Sequence, residues 1–213
     1  MSGSTSATTR VVLVRHGHVE GIDPPRFRGR IDLPLTLLGI RQAERTRDLL
    51  APAFRPAAAY ASPLSRCITT AEVIVQPAPI PIVPMPGFVD MDYGEWQGKT
   101  YEEVRQSDPR GFEQWFRAPH LAVIPGGETF LDATTRVAET ISNIIAAHCN
   151  ETVLLVGHES VNRLLLLLAL GLPLSRFWDL RQAPGAVNLV THDGVHGWTV
   201  ESMNESTHLR SLR

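Results

Sequence analysis

The chain has 213 residues, with 20 Lys and Arg against 22 Asp and Glu, a formal net charge of −2 with neutral histidines. That balance gives no general attraction to polyanions and argues against a nucleic-acid partner. With 43% hydrophobic and 20% charged residues, the composition excludes a disordered chain and fits one globular domain, which at this length buries roughly 70% of its unfolded surface.

Residues 1–9 lack periodicity and read as a disordered tail. Val11, Val12, Leu13 and Val14 then form a continuous apolar run, the pattern of a buried parallel strand. Thr36 is placed to cap a helix with Leu37, Ile40, Ala43 and Leu50 near helical spacing, and Pro52 to end it. Ala57 to Ala61 is a weaker strand signal, followed by a helix with Ser62 as cap, Pro63 in the first turn, and Leu64, Cys67, Ala71 and Ile74 on one face. Five prolines between Pro77 and Pro86 predict an extended connector, and Gly94 to Gly127 predicts short helices, one opened by a Thr100 and Glu103 capping box. A long helix follows from about Thr129 to His148, with Phe130, Ala133, Val137, Ile141, Ile144 and Ile145 as its buried stripe. Thr152 to Val156 is a second buried strand, Ser160 caps another helix ended by Gly171 and Pro173, and Ala186 to Thr191 with Gly197 to Met203 reads as a closing hairpin.

Alternating strands and helices imply a parallel sheet. The expected fold is therefore an α/β three-layer sandwich: a mostly parallel sheet, helices on both faces, and a helical insertion near the active site at about residues 88–127. The expected organisation is a single domain over residues 10–204, with a tail at 205–213. Cys67 and Cys149 stand far apart and in no CxxC pair, which argues against a disulfide framework and for a reducing cytoplasm. The most apolar stretch, Leu164 to Leu172, is far short of the roughly 20 residues of a spanning helix. The start of the chain also lacks an apolar signal core, so no membrane partner is expected. A homodimer stays open.

Ligands of open parallel sheets bind beyond the carboxyl ends of the strands. Three such ends here carry Arg15, His16 and Gly17; Ser62 with Arg66 one turn on; and Gly157 with His158. Guanidinium forks match phosphate oxygens, so the cluster predicts a phosphoryl pocket. A neutral imidazole within it is a competent nucleophile near neutral pH, and His16 is better positioned to attack. Gly17 removes a side chain beside it and lets the backbone close around a ligand.

These residues carry a resemblance. Leu13-Val14-Arg15-His16-Gly17 resembles the signature of the histidine phosphatase superfamily, the phosphoglycerate mutase-like proteins. Further matches follow in order: Phe27 to Thr36 with Gly39, Gln42 and Ala43; Ser62 to Arg66 with Thr70 and Ala71; Asp92 to Gly98; Pro125 to Glu128; and Val156-Gly157-His158. The resemblance implies that His16 becomes phosphorylated while Arg15, Arg66 and His158 bind and neutralise the transferred group. It aligns Asp90 where the family usually has a glutamate proton donor, with Asp92 and Glu95 as the nearest substitutes. Where relatives carry Glu-Thr or Glu-Ser and then an asparagine, this chain has His18-Val19 and Ile22. Arg28 stands where relatives often have Thr, Ser or Gln beside the substrate, which favours a substrate with additional negative charge. The same resemblance implies that Gly29 and Tyr93 border the leaving group, and Glu159 adjoins the site by position in the chain. The segment Phe177 to Gln182 and Asn188 resembles the short phosphatases of the family, including those acting on α-ribazole phosphate.

The expected function is metal-independent hydrolysis of a small phosphorylated metabolite, without a cofactor. Mutase activity is the alternative within the same chemistry. It is disfavoured because Gly98 to Pro125 carries only Lys99, Arg105, Arg110 and Arg117 as basic residues. A phospholigand-binding module whose catalysis has lapsed is the alternative from another class. His16 and His18 also form an HxH pair with metal-ligand character, which the neighbouring arginines oppose. Cys67 reads as a small buried hydrophobe, and Trp96, Trp115, Phe112 and Phe116 as a pocket wall or as packing of the insertion. Glu20 and Asp23 have no decisive reading.

Overall fold

The computed structural model of the chain describes residues 8–51 and 54–212. Six strands form one sheet: β1 (Thr8–Arg15), β2 (Ala58–Ala61), β3 (Ile82–Pro84), β4 (Thr152–Gly157), β5 (Val187–Asp193) and β6 (Gly197–Glu205), in the order β3-β2-β4-β1-β5-β6. The first four run parallel to one another, and the β5–β6 hairpin closes the other edge antiparallel. Six α-helices accompany them: α1 (Leu37–Leu50), α2 (Ser65–Val75), α3 (Tyr101–Ser107), α4 (Pro109–Arg117), α5 (Phe130–Ala147) and α6 (Glu159–Leu170).

The continuous apolar runs of β1 and β4 exist because both faces of the sheet are covered. Val11, Leu13, Val153 and Leu155 pack into one core with Phe130, Val137 and Ile141 of α5 and Val161 and Leu164 of α6. Val12, Val14, Leu154 and Val156, one residue out of phase, meet Cys67, Ala71 and Ile74 of α2, with Leu50 of α1 against them. The period of two thus divides a uniformly apolar string between two helical layers. The insertion joins the first core through Val104 and Trp115.

Helix starts follow the sequence where the cap is local. Thr36 accepts the Gly39 N–H at 3.1 Å, and both Thr100 with Glu103 and Thr129 with Asp132 form capping boxes. Two expected caps are corrected. Helix α2 begins at Ser65, because Asp32, 33 residues earlier, accepts both the N–H (2.8 Å) and the hydroxyl (2.7 Å) of Ser65. The Ser62 hydroxyl is occupied at 2.7 Å from His158 Nε2. Helix α6 has His158 at its cap, and Ser160, inside the first turn, hydrogen-bonds Tyr93 at 2.8 Å.

The proline-rich connector supplies β3, on the sheet edge where missing N–H groups are tolerated. The expected tails also give way where side chains are held. Thr8 and Thr9 belong to β1, and the Thr9 hydroxyl donates to His148 O at 2.8 Å. Glu205 ends β6, and Thr207–Leu212 forms a 3-10 segment that buries Leu209 and brings His208 within 3.1 Å of Thr46 on α1. The remainder of the amino-terminal tail, the helix stop expected at Pro52, and Arg213 lie outside the described residues. Among the described residues no helix is long and apolar enough to cross a membrane.

Candidate active site

Strand register brings the site together. Arg15 pairs with Gly157 across β1 and β4, and Ala61 with Val156 across β2 and β4, so the next residues, His16, Ser62 and His158, emerge at one sheet edge. The His16 and His158 rings meet edge to face with centroids 5.1 Å apart, both essentially buried. His16 Nδ1–H donates to its neighbour's carbonyl, Gly17 O, at 2.7 Å, which leaves Nε2 without a proton. Burial, then the charges of Arg66 and Arg15, holds this imidazole well below its ordinary pKa, so it is neutral.

Arg66 is fully buried and donates from each of its three nitrogens. Nη1 donates to Ile31 O at 2.7 Å, Nη2 to Gly29 O at 2.8 Å and Nε to His158 Nδ1 at 3.2 Å, with Asp90 Oδ2 at 3.6 Å from Nη2. Arg15 Nη1 donates to Gln182 O and pairs with Glu159 at 2.9 Å, while its buried Nε has no partner. The Gln182 and Asn188 amides bond each other twice at 2.8 Å, and Asn188 donates to Leu13 O at 3.1 Å, which fixes the carbonyl that holds Arg15. A buried guanidinium with an unmatched donor is costly unless an anion completes it.

Asp90 lies beside this cluster, 7% exposed. Burial pushes its carboxyl up, against the opposing pull of Arg66 and Arg28, so its proton is retained to higher pH than on a free aspartate. Its two sequence alternatives are otherwise engaged: Asp92 accepts the Gly94 N–H at 2.9 Å and pairs with Arg30 at 3.1 Å, and Glu95 is exposed. Asp90 borders a cavity of about 30 Å3 walled by Arg28, Tyr93, Glu159, Trp115 and Trp178. Arg26 and Arg28 separate it from a larger cavity of about 420 Å3 that also takes in Glu20 and Asp23. Arg28 donates to Gly21 O at 2.7 Å, and its buried Nε is unmatched.

Gly29 needs its freedom: at φ +50°, a Cβ would meet Gln97 Oε1, Met91 O and Tyr93 within 3 Å. Gly17 also has a packing reason. A Cβ there would lie 2.4 Å from Gly39 O, so Gly17 allows the start of α1 to pack on the loop, and its N–H donates to Thr70 at 3.2 Å. Gly17→Ala is expected to cost roughly 1–3 kcal/mol through overpacking, read as a lower Tm; an unchanged Tm would contradict this packing.

Arg163 is the functional candidate that sequence reasoning passed over. It sits four residues after Glu159 on α6, pairs with it at 2.8 Å, donates to Leu180 O at 2.6 Å, and lies over the Trp178 ring at 4.8 Å. Glu159 therefore bridges Arg15 and Arg163. Burial raises its pKa, but the attraction of Arg15 and Arg163 outweighs this and leaves it lowered, hence ionised. The one basic residue of α6, four positions after Glu159, was the available signal. Of the insertion aromatics, Trp115 walls the cavity, Trp96 is buried in the core, and Phe116 stacks on Trp178 at 5.0 Å. His18 turns its Nδ1 to Thr36 at 2.9 Å, and burial pushes the Cys67 thiol up, leaving it protonated.

Comparison with known proteins agrees with this architecture. The family model of the histidine phosphatase superfamily, branch 1, matches residues 11–206. Phosphoserine phosphatase 1 of Hydrogenobacter thermophilus is 30% identical over 170 residues, 80% of each chain. The adenosylcobalamin/α-ribazole phosphatase of Salmonella typhimurium is 30% identical over 178 residues, 83% of this chain and 87% of the relative. The solved structure of Bacillus stearothermophilus YhfR superposes with a TM-score of 0.89 at 33% identity, covering 94% of this chain and 99% of that one. Mycobacterial relatives at 33% identity are longer, and the chain spans 46% of their length. With the ordered motifs, the sheet-edge cluster and these matches together, the chain belongs to the histidine phosphatase superfamily, branch 1, and is a phosphatase of that type.

Proposed function

We propose that the protein hydrolyses small phosphomonoesters in two steps through a phosphohistidine at His16, without a metal or other cofactor. The observation that carries this reading is the bare Nε2 of a buried, neutral His16 beside two guanidinium groups. Nε2 attacks phosphorus, the P–O bond to the alcohol breaks, and Asp90 passes its proton to the departing oxygen. Arg15, Arg66 and His158 carry the charge that builds on the phosphoryl oxygens. Water then attacks the phosphohistidine, Asp90 takes its proton, and inorganic phosphate leaves with His16 restored.

Hydrolysis is favoured over the mutase reading by the insertion's basic residues. Arg105 and Arg117 pair with Glu102 and Glu113 on the surface, 62% and 80% exposed, and do not wall the site. A mutase must hold its phosphorylated intermediate, and these side chains offer no such hold. The unmatched Nε of Arg28, which borders the same cavity as Asp90, supports a second negative charge on the alcohol. Phosphoserine and α-ribazole phosphate, named for relatives, belong in the first panel of substrates. The free cysteines, one buried and one exposed, support a reducing cytoplasm.

Turnover of an aryl phosphate in excess chelator is the expected result. Activity only after metal addition would contradict the metal-free route, and tight phosphate binding without turnover would indicate a lapsed module. Arg28→Gln is expected to lower kcat/KM about ten- to a hundredfold for a phosphomonoester that also bears a carboxylate, the worth of a lost charged hydrogen bond. It should leave a phosphomonoester whose alcohol is uncharged, such as glycerol phosphate, within about twofold. An equal loss on both would remove Arg28 from substrate selection.

A further inference from the structure

His158 has two distinct edges. Nδ1 faces the site, 3.2 Å from Arg66 Nε and 3.7 Å from Asp90 Oδ2; Nε2 faces the interior, 2.7 Å from the hydroxyl of Ser62, which is wholly buried at the end of β2. Because Arg66 Nε can only donate, Nδ1 is bare and the ring proton sits on Nε2. Ser62 Oγ therefore accepts from Nε2–H. Ser62 Oγ also accepts the Leu64 N–H at 3.4 Å, and the Cys67 sulfur lies 3.5 Å from Nε2.

We propose that Ser62 is a positioning residue of the reaction, the fixed acceptor that lets His158 take up a second proton on Nδ1 when a phosphomonoester enters. This rests on the hydrolase reading above. As the phosphoryl group arrives, Arg66 Nε turns its hydrogen to a phosphoryl oxygen, and Nδ1 loses its donor. A proton moves from the substrate monoanion to Nδ1, giving an imidazolium and a phosphate dianion; no atom is lost or gained. The imidazolium then holds two N–H groups, one on the phosphoryl oxygen and one on Ser62, and a hydrogen bond to a charged donor is stronger than a neutral one.

Every charged or titratable group around the ring bears on this balance. Arg66 and Cys67 approach from α2, His16 and Arg15 from the end of β1, Arg28 from the following loop and Asp90 from the insertion. Burial and the three arginines hold the ring well below its ordinary pKa in the resting site. Two opposing groups make protonation feasible: the phosphate dianion that the transfer leaves beside the ring and the Ser62 acceptor. Removing the hydroxyl leaves the buried Nε2–H with only the weak acceptor Cys67 Sγ, 3.5 Å away, and disfavours the imidazolium.

The test is the pH dependence of kcat on an aryl phosphate. Ser62→Ala is expected to move the alkaline limb toward acid by about one pH unit, with kcat near pH 7.5 down about tenfold. Ser62→Thr, which keeps the hydroxyl, should restore the limb. Nitrogen-15 NMR of wild-type protein gives a reading independent of any variant's folding: Nε2 of His158 protonated with and without inorganic phosphate, Nδ1 protonated only with it. An alkaline limb unmoved in Ser62→Ala, a threonine variant that fails to restore it, or a bare Nε2 in the free protein would overturn the proposal. Intact wild-type turnover with an unmoved limb overturns this inference alone, whereas absent wild-type turnover overturns it together with the hydrolase reading.

Discussion

His16→Ala loses about ten-thousandfold or more in kcat on every phosphomonoester, because removal of a nucleophile leaves only binding and electrostatic stabilisation. The protein nevertheless folds. The buried imidazole makes one side-chain hydrogen bond, to Gly17 O, and its loss creates a modest cavity beside groups tied elsewhere. Arg66 keeps its bonds to Ile31 O, Gly29 O and His158, and Arg15 keeps Gln182 O and Glu159. The variant therefore still binds inorganic phosphate. Retained turnover would exclude His16 as nucleophile; loss of both turnover and phosphate binding would show a structural effect instead. Circular dichroism and phosphate titration together separate these outcomes.

Asp90→Asn slows alkyl phosphates about a hundred- to ten-thousandfold, the usual worth of a positioned acid, and slows good aryl leaving groups far less in the first step. The reason lies in the leaving oxygen: an alkoxide must be protonated as the P–O bond breaks, whereas a nitrophenolate leaves unaided. Burial raises the pKa of Asp90 despite Arg66 and Arg28, so the acid is present to higher pH than a free carboxyl allows and is lost as pH rises through that raised value. The part of the alkaline limb that Asp90 sets for alkyl substrates should therefore disappear in Asp90→Asn, leaving the limb that aryl phosphates also show. With aryl substrates the variant should show a burst of phenol, because the second step lacks the base that activates water. An alkyl rate equal to wild type would move the acid role to Asp92 or Glu95.

The parts legible in the sequence are those whose causes are local. The runs at Val11 to Val14 and Thr152 to Val156 announce buried strands, the capping box at Thr100 and the apolar stripe after Thr129 announce helices, and the residues after the strands announce the side-chain cluster. The parts that were not legible depend on residues far apart in the chain. Asp32 caps α2 from a loop 33 positions away, which frees Ser62 to meet His158 across 96 residues. Gly17 is set by Gly39, and Arg15 by Gln182, which Asn188 holds in turn. The segment Thr207–Leu212 falls within the expected tail, yet it buries Leu209 and packs against α1. Motif order located the cluster; the choice of hydrogen-bond partner within it required coordinates.

Rapid quenching of the protein with a phosphomonoester labelled at phosphorus, followed by peptide mapping in alkali, tests the covalent route most directly. The route predicts an acid-labile, alkali-stable phosphoryl label on the peptide containing His16, formed and discharged at rates consistent with kcat and absent in His16→Ala. A label on His158, on a serine or cysteine, or none at all during steady turnover, would contradict it.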